Sequence, residues 1–436
     1  MRFAETVRTK LIEKIHELAT IKELFIKNPE TDFTRKRKLP LEIVIRIMLS
    51  MSGNSLGIEM MEYFNYDINA ATSSAFIQQR EKVLPEALAF LMNEFTCSLN
   101  KKRTFEGYRP IAVDGSDLNI AHNPKDVSTY IQPTPDVKGF NQLHLNAMFD
   151  LCNKLYLDVN IQYGKEKNEY SAFTDMVDRS NEDGKIIAIG DRGYESFNVF
   201  AHIEKKGWRY LIRVKDINSN GIASTLDLPA SEEFDVSVHI ILTRKQTNVV
   251  KANPKLYKFL TNKSTFDYLD SHDNKFYPIS FRVVRFKLSD DTYETIITNL
   301  DPFQFPPAKI KKLYHLRWGI ETSFRELKYA IGLVSFHSKT VEHIIQEIYA
   351  RLIMYNFCEL ITLNVVIQQK NTKHAYQVNF TVAIRICIRF FIGKDNMHPP
   401  DVEALIQKYI LPVRPNRSDP RKVKPKSAVS FIYRIA

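Results

Sequence analysis

Apolar residues recur at helical spacing through the first hundred positions of the chain and at strand spacing through the next hundred. LPLEIVIRIMLSM places Pro40 at a first turn, and TSSAFIQQREKVLPEALAFLMNEF offers Thr72 or Ser73 as a cap before a second such run. Beyond residue 105, RPIAVDGSDLNI, HLNAMFDLC and KLYLDVNIQYG read as three strands joined by short polar segments, an antiparallel meander. EYSAFTDMVDR then reads as a helix, KIIAIGDRG as a buried strand, FNVFAHIEKKG as a helix and WRYLIRVK as a strand. Three strands followed by alternating helix and strand predict an α/β sheet covered by helices.

From about residue 215 to 300 the helical period fades, and FDVSVHIIL, YPISFRVVRFKL and TYETIITNL alternate between the turn-rich segments NSNG, DSHDN and SDD. Helical spacing returns near 308 and continues to about 370. The expected layout is a helical N-terminal region (1–104), the first part of the α/β core (105–214), a β-rich insertion (215–304), the second part of the core (305–370) and a C-terminal region (371–436). The last of these contains RPNRSDPRKVKPK, whose prolines forbid a regular helix.

The charge changes the picture more than the rest of the composition. The 436 residues carry 61 Lys+Arg against 50 Asp+Glu, a net +11. That balance points to a polyanionic partner, nucleic acid ahead of membrane, since no amphipathic basic tail or lipidation signal stands out. The four cysteines are scattered without a C-x-x-C pair, which indicates neither a disulfide framework nor a zinc site. No signal peptide or long apolar run is visible, so a cytoplasmic protein without a membrane span is expected.

Asp114, in IAVDGS, and Asp191, in IIAIGDRGY, each lie where an apolar strand is expected to end. An acid there is held rigidly yet reaches the rim of the sheet, although either one alone reads equally as a turn former. YHLRWGIETSFRELK, residues 314–328, supplies a third. On one continuous helix with Tyr314 at zero, Arg317 falls at about 300°, Glu321 at about 340°, Arg325 at about 20° and Lys328 at about 320°. Leu316, Ile320, Phe324, Leu327 and Ile331 lie beside that stripe at roughly 200° to 280°. An exposed ladder of helix ion pairs explains the charges. It explains less well why a tyrosine begins the stripe, or why the stripe borders the apolar face. Three convergent carboxylates are what two hard divalent cations need for phosphoryl transfer, with Arg and Lys beside them to hold phosphate.

These residues resemble the DDE transposases of the insertion-sequence family four group. That family's signature is Tyr, two residues, Arg, three residues, Glu, six residues, Lys, and Tyr314, Arg317, Glu321 and Lys328 match every spacing. DGS at Asp114 and DRGY at Asp191 are similar to its two Asp motifs, and the β-rich interval before Glu321 agrees with an insertion into an RNase H-like core. The resemblance implies that Asp114, Asp191 and Glu321 are catalytic and bind two Mg²⁺ ions, with Mn²⁺ as a substitute. It implies cleavage of transposon ends and strand transfer to target DNA, through a hairpin in characterised relatives. Tyr314, Arg317 and Lys328 would contact the DNA end, with Arg325 undecided, and a homodimer would pair two ends. Tyr293 is a candidate for stacking on a flipped base. The protein would then be nucleoid-associated.

The N-terminal helices are the candidate readers of the terminal repeats. Gln78, Gln79 and Arg80 are placed to reach bases or phosphates, or form an ordinary polar helix surface. Arg35, Lys36, Arg37 and Lys38 are either a phosphate-contacting arm or a solvated basic loop, and Lys309, Lys311 and Lys312 divide the same way. The eleven histidines include no H-x-x-x-H or H-x-H pair, and a lone strand histidine such as His144 reads as structural. Two rivals to an active transposase are a non-catalytic DNA-binding derivative of one and a stand-alone RNase H-like nuclease.

Overall fold

Five helices, α1 (Phe3–Thr20), α2 (Leu41–Ser50), α3 (Leu56–Tyr63), α4 (Ser73–Arg80) and α5 (Pro85–Cys97), make up the N-terminal region. The structure is a computed structural model that describes residues 3–35, 37–99, 103–270, 275–289, 292–365, 375–393 and 401–413. Lys36 and the RPNRSDPRKVKPK tail lie outside the described residues. α1 buries Ala4, Val7, Leu11, Ile15 and Leu18, an i, i+3, i+4 stripe that closes one face against the core. Thr72 caps α4 by accepting the Ala75 N–H at 3.2 Å. The run expected to follow as one helix divides at Pro85, which opens α5 where its missing N–H costs nothing.

The strands follow as β1 (Arg109–Ile120), β2 (Tyr130–Ile131), β3 (Phe140–Asp150) and β4 (Leu155–Tyr163), then α6 (Glu169–Arg179), β5 (Ile186–Gly190), α7 (Phe197–Lys205) and β6 (Arg209–Val214). After them come β7 (Phe234–Thr243), α8 (Asn248–Ala252), β8 (Tyr257–Phe259), β9 (Phe276–Ser289) and β10 (Thr292–Thr298). All join one sheet in the order β2-β3-β1-β5-β6-β10-β9-β7-β8, with β4 also on β3. β1, β3 and β4 form the expected antiparallel meander, and β5 and β6 run parallel to β1. The segment 215–304 forms no second sheet among the described residues. β10 pairs antiparallel with β6, and β9 and β7 continue outward, so its strands complete an edge that β6 would otherwise leave open.

The chain closes with α9 (Pro307–His315), α10 (Trp318–Tyr329), α11 (Val341–Leu363), β11 (Tyr376–Val378), α12 (Phe380–Ile392), α13 (Val402–Lys408) and β12 (Ile410–Pro412). α11 is buried around its whole circumference, because it packs on α1, α2 and α5 as well as on β4 and α12. It carries a buried ionic node to which α4 is tied. Arg80, expected at a DNA-facing surface, is only 2% exposed and points inward. Its Nε donates to Gln346 at 2.7 Å, one terminal nitrogen meets Glu347 at 3.1 Å, and the other donates to the His343 carbonyl. Burial alone would raise the Glu347 carboxyl, but Arg80, His337 and Arg351 hold it down to about 2. The sequence pattern misplaces Arg80 because a guanidinium satisfied by three buried acceptors is stable in the interior, and those partners lie more than 260 residues away.

Removing one member of such a node leaves an uncompensated buried charge. Arg80→Ala is expected to lower the unfolding free energy by about 3–5 kcal/mol, measured by urea titration. A midpoint equal to wild type would contradict the role assigned to this node.

Candidate active site

The pairing of β1 with β5 brings two acids side by side. The parallel register runs from Arg109 opposite Ile186 to Ala112 opposite Ile189, and the same offset carried forward sets Asp114 level with Asp191. Neighbouring strands are about 4.8 Å apart, so the two carboxylates share one end of the sheet. β5 stops at Gly190, and Asp191 begins the turn after it, with Oδ1 accepting the Gly193 N–H at 2.7 Å. Asp114, expected at a strand end, instead lies within β1, because β1 runs on to Ile120 paired with β3. The Gly115 N–H donates to its Oδ1 at 2.9 Å.

YHLRWGIETSFRELK is two helices, not the single one on which the stripe was drawn. Around Leu316 and Arg317 the backbone bonds run from Leu316 to Leu313, Arg317 to Tyr314, Gly319 to Leu316 and Ile320 to Arg317, a tighter winding than an α-helix. The two helices settle on different surfaces. α9 buries Ile310, Leu313 and Tyr314 with Ile189, Leu211 and Ile296, while Ile320, Phe324 and Leu327 of α10 enter the larger core shared with β1 and α11. Tyr314 is consequently 4% exposed, its hydroxyl buried beside Arg213, with Arg317 and Glu294 as further charged neighbours.

Arg317 occupies the turn and joins the third acid to the first. Its guanidinium lies 2.8 Å from Glu321 Oε1 and 4.0 Å from Asp114 Oδ2, and its Nε is buried without a partner. Burial pushes the Asp114 carboxyl up to about 6; the nearby charges of Asp191 and Glu321 add to this, and the Gly115 N–H and Arg317 oppose it. Asp114 thus feels both of the other acids. As the side chains stand, no three Asp, Glu, His or Cys groups among the described residues close on a single point. The donor chemistry nevertheless fits Mg²⁺, which needs one or two hard carboxylates and fills its shell with water and phosphate. The charge that Asp191 and Glu321 add at the buried Asp114 is also what a cation would relieve.

Lys328, one side of α10 with Glu321, reaches across to β1 and donates to the Asp117 carbonyl at 3.0 Å. Arg325 is exposed on a different flank, in a groove with Lys154, Thr322, Glu326 and Glu359. Arg35, Arg37 and Lys38 are exposed on the N-terminal region, and Gln79 lies with Arg35 and Arg37 along one shallow groove. Tyr293 opens β10 at the sheet end that carries Asp191, and the Arg285 guanidinium stands 4.0 Å over its ring.

Two features at this end were not foreseen. Trp318 is 52% exposed with Arg317 over its ring at 5.0 Å, and only its place inside the signature could have flagged it. His144, set aside as structural, lies 2.6 Å from Asp117 and 3.1 Å from Glu169, and Lys167 meets both acids. Sequence offers no signal for that grouping, because its members come from β3, β1 and the start of α6.

The sheet thus sets Asp114 beside the turn that begins at Asp191, and the Arg317 guanidinium lies between Asp114 and Glu321. A family model described as a transposase DDE domain matches residues 106–357, more than half of the chain and inclusive of all three acids. The chain belongs to this family of transposases. Transposase InsG for insertion sequence element IS4 of Escherichia coli (strain K12) is 21% identical over 428 residues, covering 89% of this chain and 86% of that protein. The transposase for insertion sequence element IS1151 of Clostridium perfringens is 20% identical over 293 residues, covering 61% and 60%. A piggyBac transposase in a synaptic complex with hairpin DNA covers 92% of this chain and 81% of its own, at 9% identity and a TM-score of 0.46, a likeness too distant to carry an argument. No helix among the described residues is long and apolar enough to cross a membrane.

Because Asp114 holds its proton more tightly when folded than when unfolded, its contribution favours the fold at acid pH and is lost as pH rises through about 6. Asp114→Asn is therefore expected to stabilise the metal-free protein by about 2–3 kcal/mol near pH 8 and to leave it unchanged near pH 4. Thermal unfolding at the two pH values checks this; an equal effect at both would show that the carboxylate is not strained.

Proposed function

We propose that this chain is an active transposase that binds terminal inverted repeats, cleaves transposon ends and joins them to target DNA. The observation that carries the proposal is the parallel pairing of β1 with β5, which brings Asp114 of β1 beside the turn that begins at Asp191, with Glu321 linked to Asp114 through Arg317. In this reading β4-β3-β1-β5-β6 is an RNase H-like core, 215–304 its inserted extension, and 1–104 and 371–436 the regions that hold DNA and a second subunit. The work is done on DNA in the cytoplasm, at the nucleoid.

Asp114, Asp191 and Glu321 would hold two Mg²⁺ ions, or Mn²⁺ in their place, which would supply activation of an attacking oxygen and stabilisation of the charge on the leaving one. The residues themselves supply position. The Gly115 and Gly193 N–H groups fix the rotation of the two aspartates. Arg317, buried with an unpaired Nε, keeps Glu321 turned toward Asp114 and has a donor to spare for a phosphate oxygen. The Tyr314 hydroxyl and the Lys328 ammonium, whose pKa burial lowers, supply further donors to the backbone of a DNA end. Arg35, Lys36, Arg37, Lys38 and Gln79 contact the terminal repeat; Arg325 adds a charge on the outer flank of α10. Cleavage exposes a 3′-hydroxyl, which attacks in line either the opposite strand, giving a hairpin, or the target. A homodimer pairs the two ends.

Asp114→Ala, Asp191→Ala and Glu321→Ala are each expected to abolish Mg²⁺-dependent cleavage of a transposon-end duplex while binding of that duplex survives. Wild-type cleavage in any one of them would remove that acid from the site. Lys328→Ala should lower the yield of strand-transferred and hairpin product by about tenfold or more with metal binding intact; an unchanged yield would count against its phosphate role.

A further inference from the structure

Glu169 lies between the two glycine peptides that orient the aspartates. A methyl group built on Gly115 would stand 3.1 Å from Glu169 Oε1, and one built on Gly193 would stand 3.9 Å from Oε2. The same methyl on Gly115 would meet His144 Nε2 at 2.4 Å and Cε1 at 2.8 Å, so the imidazole packs directly onto the Gly115 backbone. These are the two glycines whose N–H groups donate to Asp114 and Asp191. We propose that His144 is a positioning residue for Asp114: clamped between Asp117 and Glu169, it holds in place the Gly115 peptide whose N–H orients that aspartate. The proposal rests on the reading of Asp114 and Asp191 as metal ligands.

The clamp is built from three elements. His144 on β3 is the cross-strand partner of Asp117 on β1, is 1% exposed, and places Nδ1 2.6 Å from Asp117 Oδ1. Its Nε2 stands 3.1 Å from Glu169 Oε1, near enough for an ion pair though not aligned for a hydrogen bond. Lys167 lies 3.3 Å from Asp117 and 3.0 Å from Glu169, and Lys328 joins α10 to the same point through the Asp117 carbonyl. Contact with His144, with Lys167 adding to it, holds both carboxyls down to about 2 despite their burial.

The test uses the full-length protein, with Mg²⁺ binding measured by calorimetry and the half-saturating Mg²⁺ concentration measured in the cleavage assay. His144→Ala and Gly115→Ala, which respectively remove the ring and force it aside, are each expected to weaken Mg²⁺ binding and raise that concentration by about 10–100-fold. His144→Asn, which restores a donor toward Asp117, should recover part of the loss. Affinity for the transposon end should stay at wild type in all three. Wild-type Mg²⁺ affinity in His144→Ala overturns the proposal. If that variant does not fold, wild-type affinity in both Gly115→Ala and Glu169→Gln overturns it. Asp114→Ala and Asp191→Ala separate the two levels. If they bind Mg²⁺ as wild type, the ligand assignment has failed; if they lose it while His144→Ala does not, only the positioning role has.

Discussion

The parallel pairing of β1 with β5 is the constraint on which the rest of the site depends. A one-residue slip would turn every side chain of one strand to the other face and part Asp114 from Asp191. The register is held from both sides of β1. Ile111, Ala112 and Val113 are fully buried, and the antiparallel ladder with β3 runs unbroken from Ile111 to Ile120. A strand fixed along both edges has no freedom to slide. The acid within it inherits that rigidity, and its carboxylate tolerates burial and like charge because the fold leaves it nowhere to move.

The third acid comes by another route. Glu321 lies on a helix, and helices move as bodies more readily than central strands slide. Arg317 answers this at the tight turn between α9 and α10, pairing with Glu321 on its own helix and with Asp114 across to β1. Lys328 makes a second crossing one face along, to the Asp117 carbonyl. Two cations therefore tie this segment to the strand at points about three helical turns apart. Two separate cores beneath α9 and α10 explain why the helix must break there, and why Tyr314 is drawn inward while Trp318 is left in solvent.

Charge in this protein is managed by burial as much as by exposure. The net +11 suits a polyanionic partner, yet Arg80 and Arg351 spend their charge inside, on Glu347, where α11 meets the N-terminal helices. The same economy recurs at His144, where one ring and one lysine answer two acids beside the candidate metal ligands. In both places a cation and an acid far apart in sequence neutralise one another at a joint between elements. Such a joint is specific, since shifting either element would strand a charge in the interior.

Sequence by itself determined the strands and helices of the core. RPIAVDGSDLNI, EYSAFTDMVDR and WRYLIRVK carry their period within a few residues, and local period suffices to select strand or helix. It also picked out Asp114, Asp191 and the Tyr-Arg-Glu-Lys spacing, because chemical type and interval are properties of the chain. Only tertiary structure decided which surfaces those residues face. A helical wheel drawn through Tyr314 to Lys328 assumed one axis, and the break at Leu316 and Arg317 follows from two cores that no local pattern reveals. Arg80 looked like a surface charge because its three acceptors lie on a distant helix. The strands of 215–304 read as a β-rich insertion, and that they continue the central sheet from β6 was not legible because pairing partners, unlike period, are not written in the segment itself. The neighbours of His144 were hidden for the same reason: Asp117, Glu169 and Gly115 meet it only once β1, β3 and α6 have been brought together.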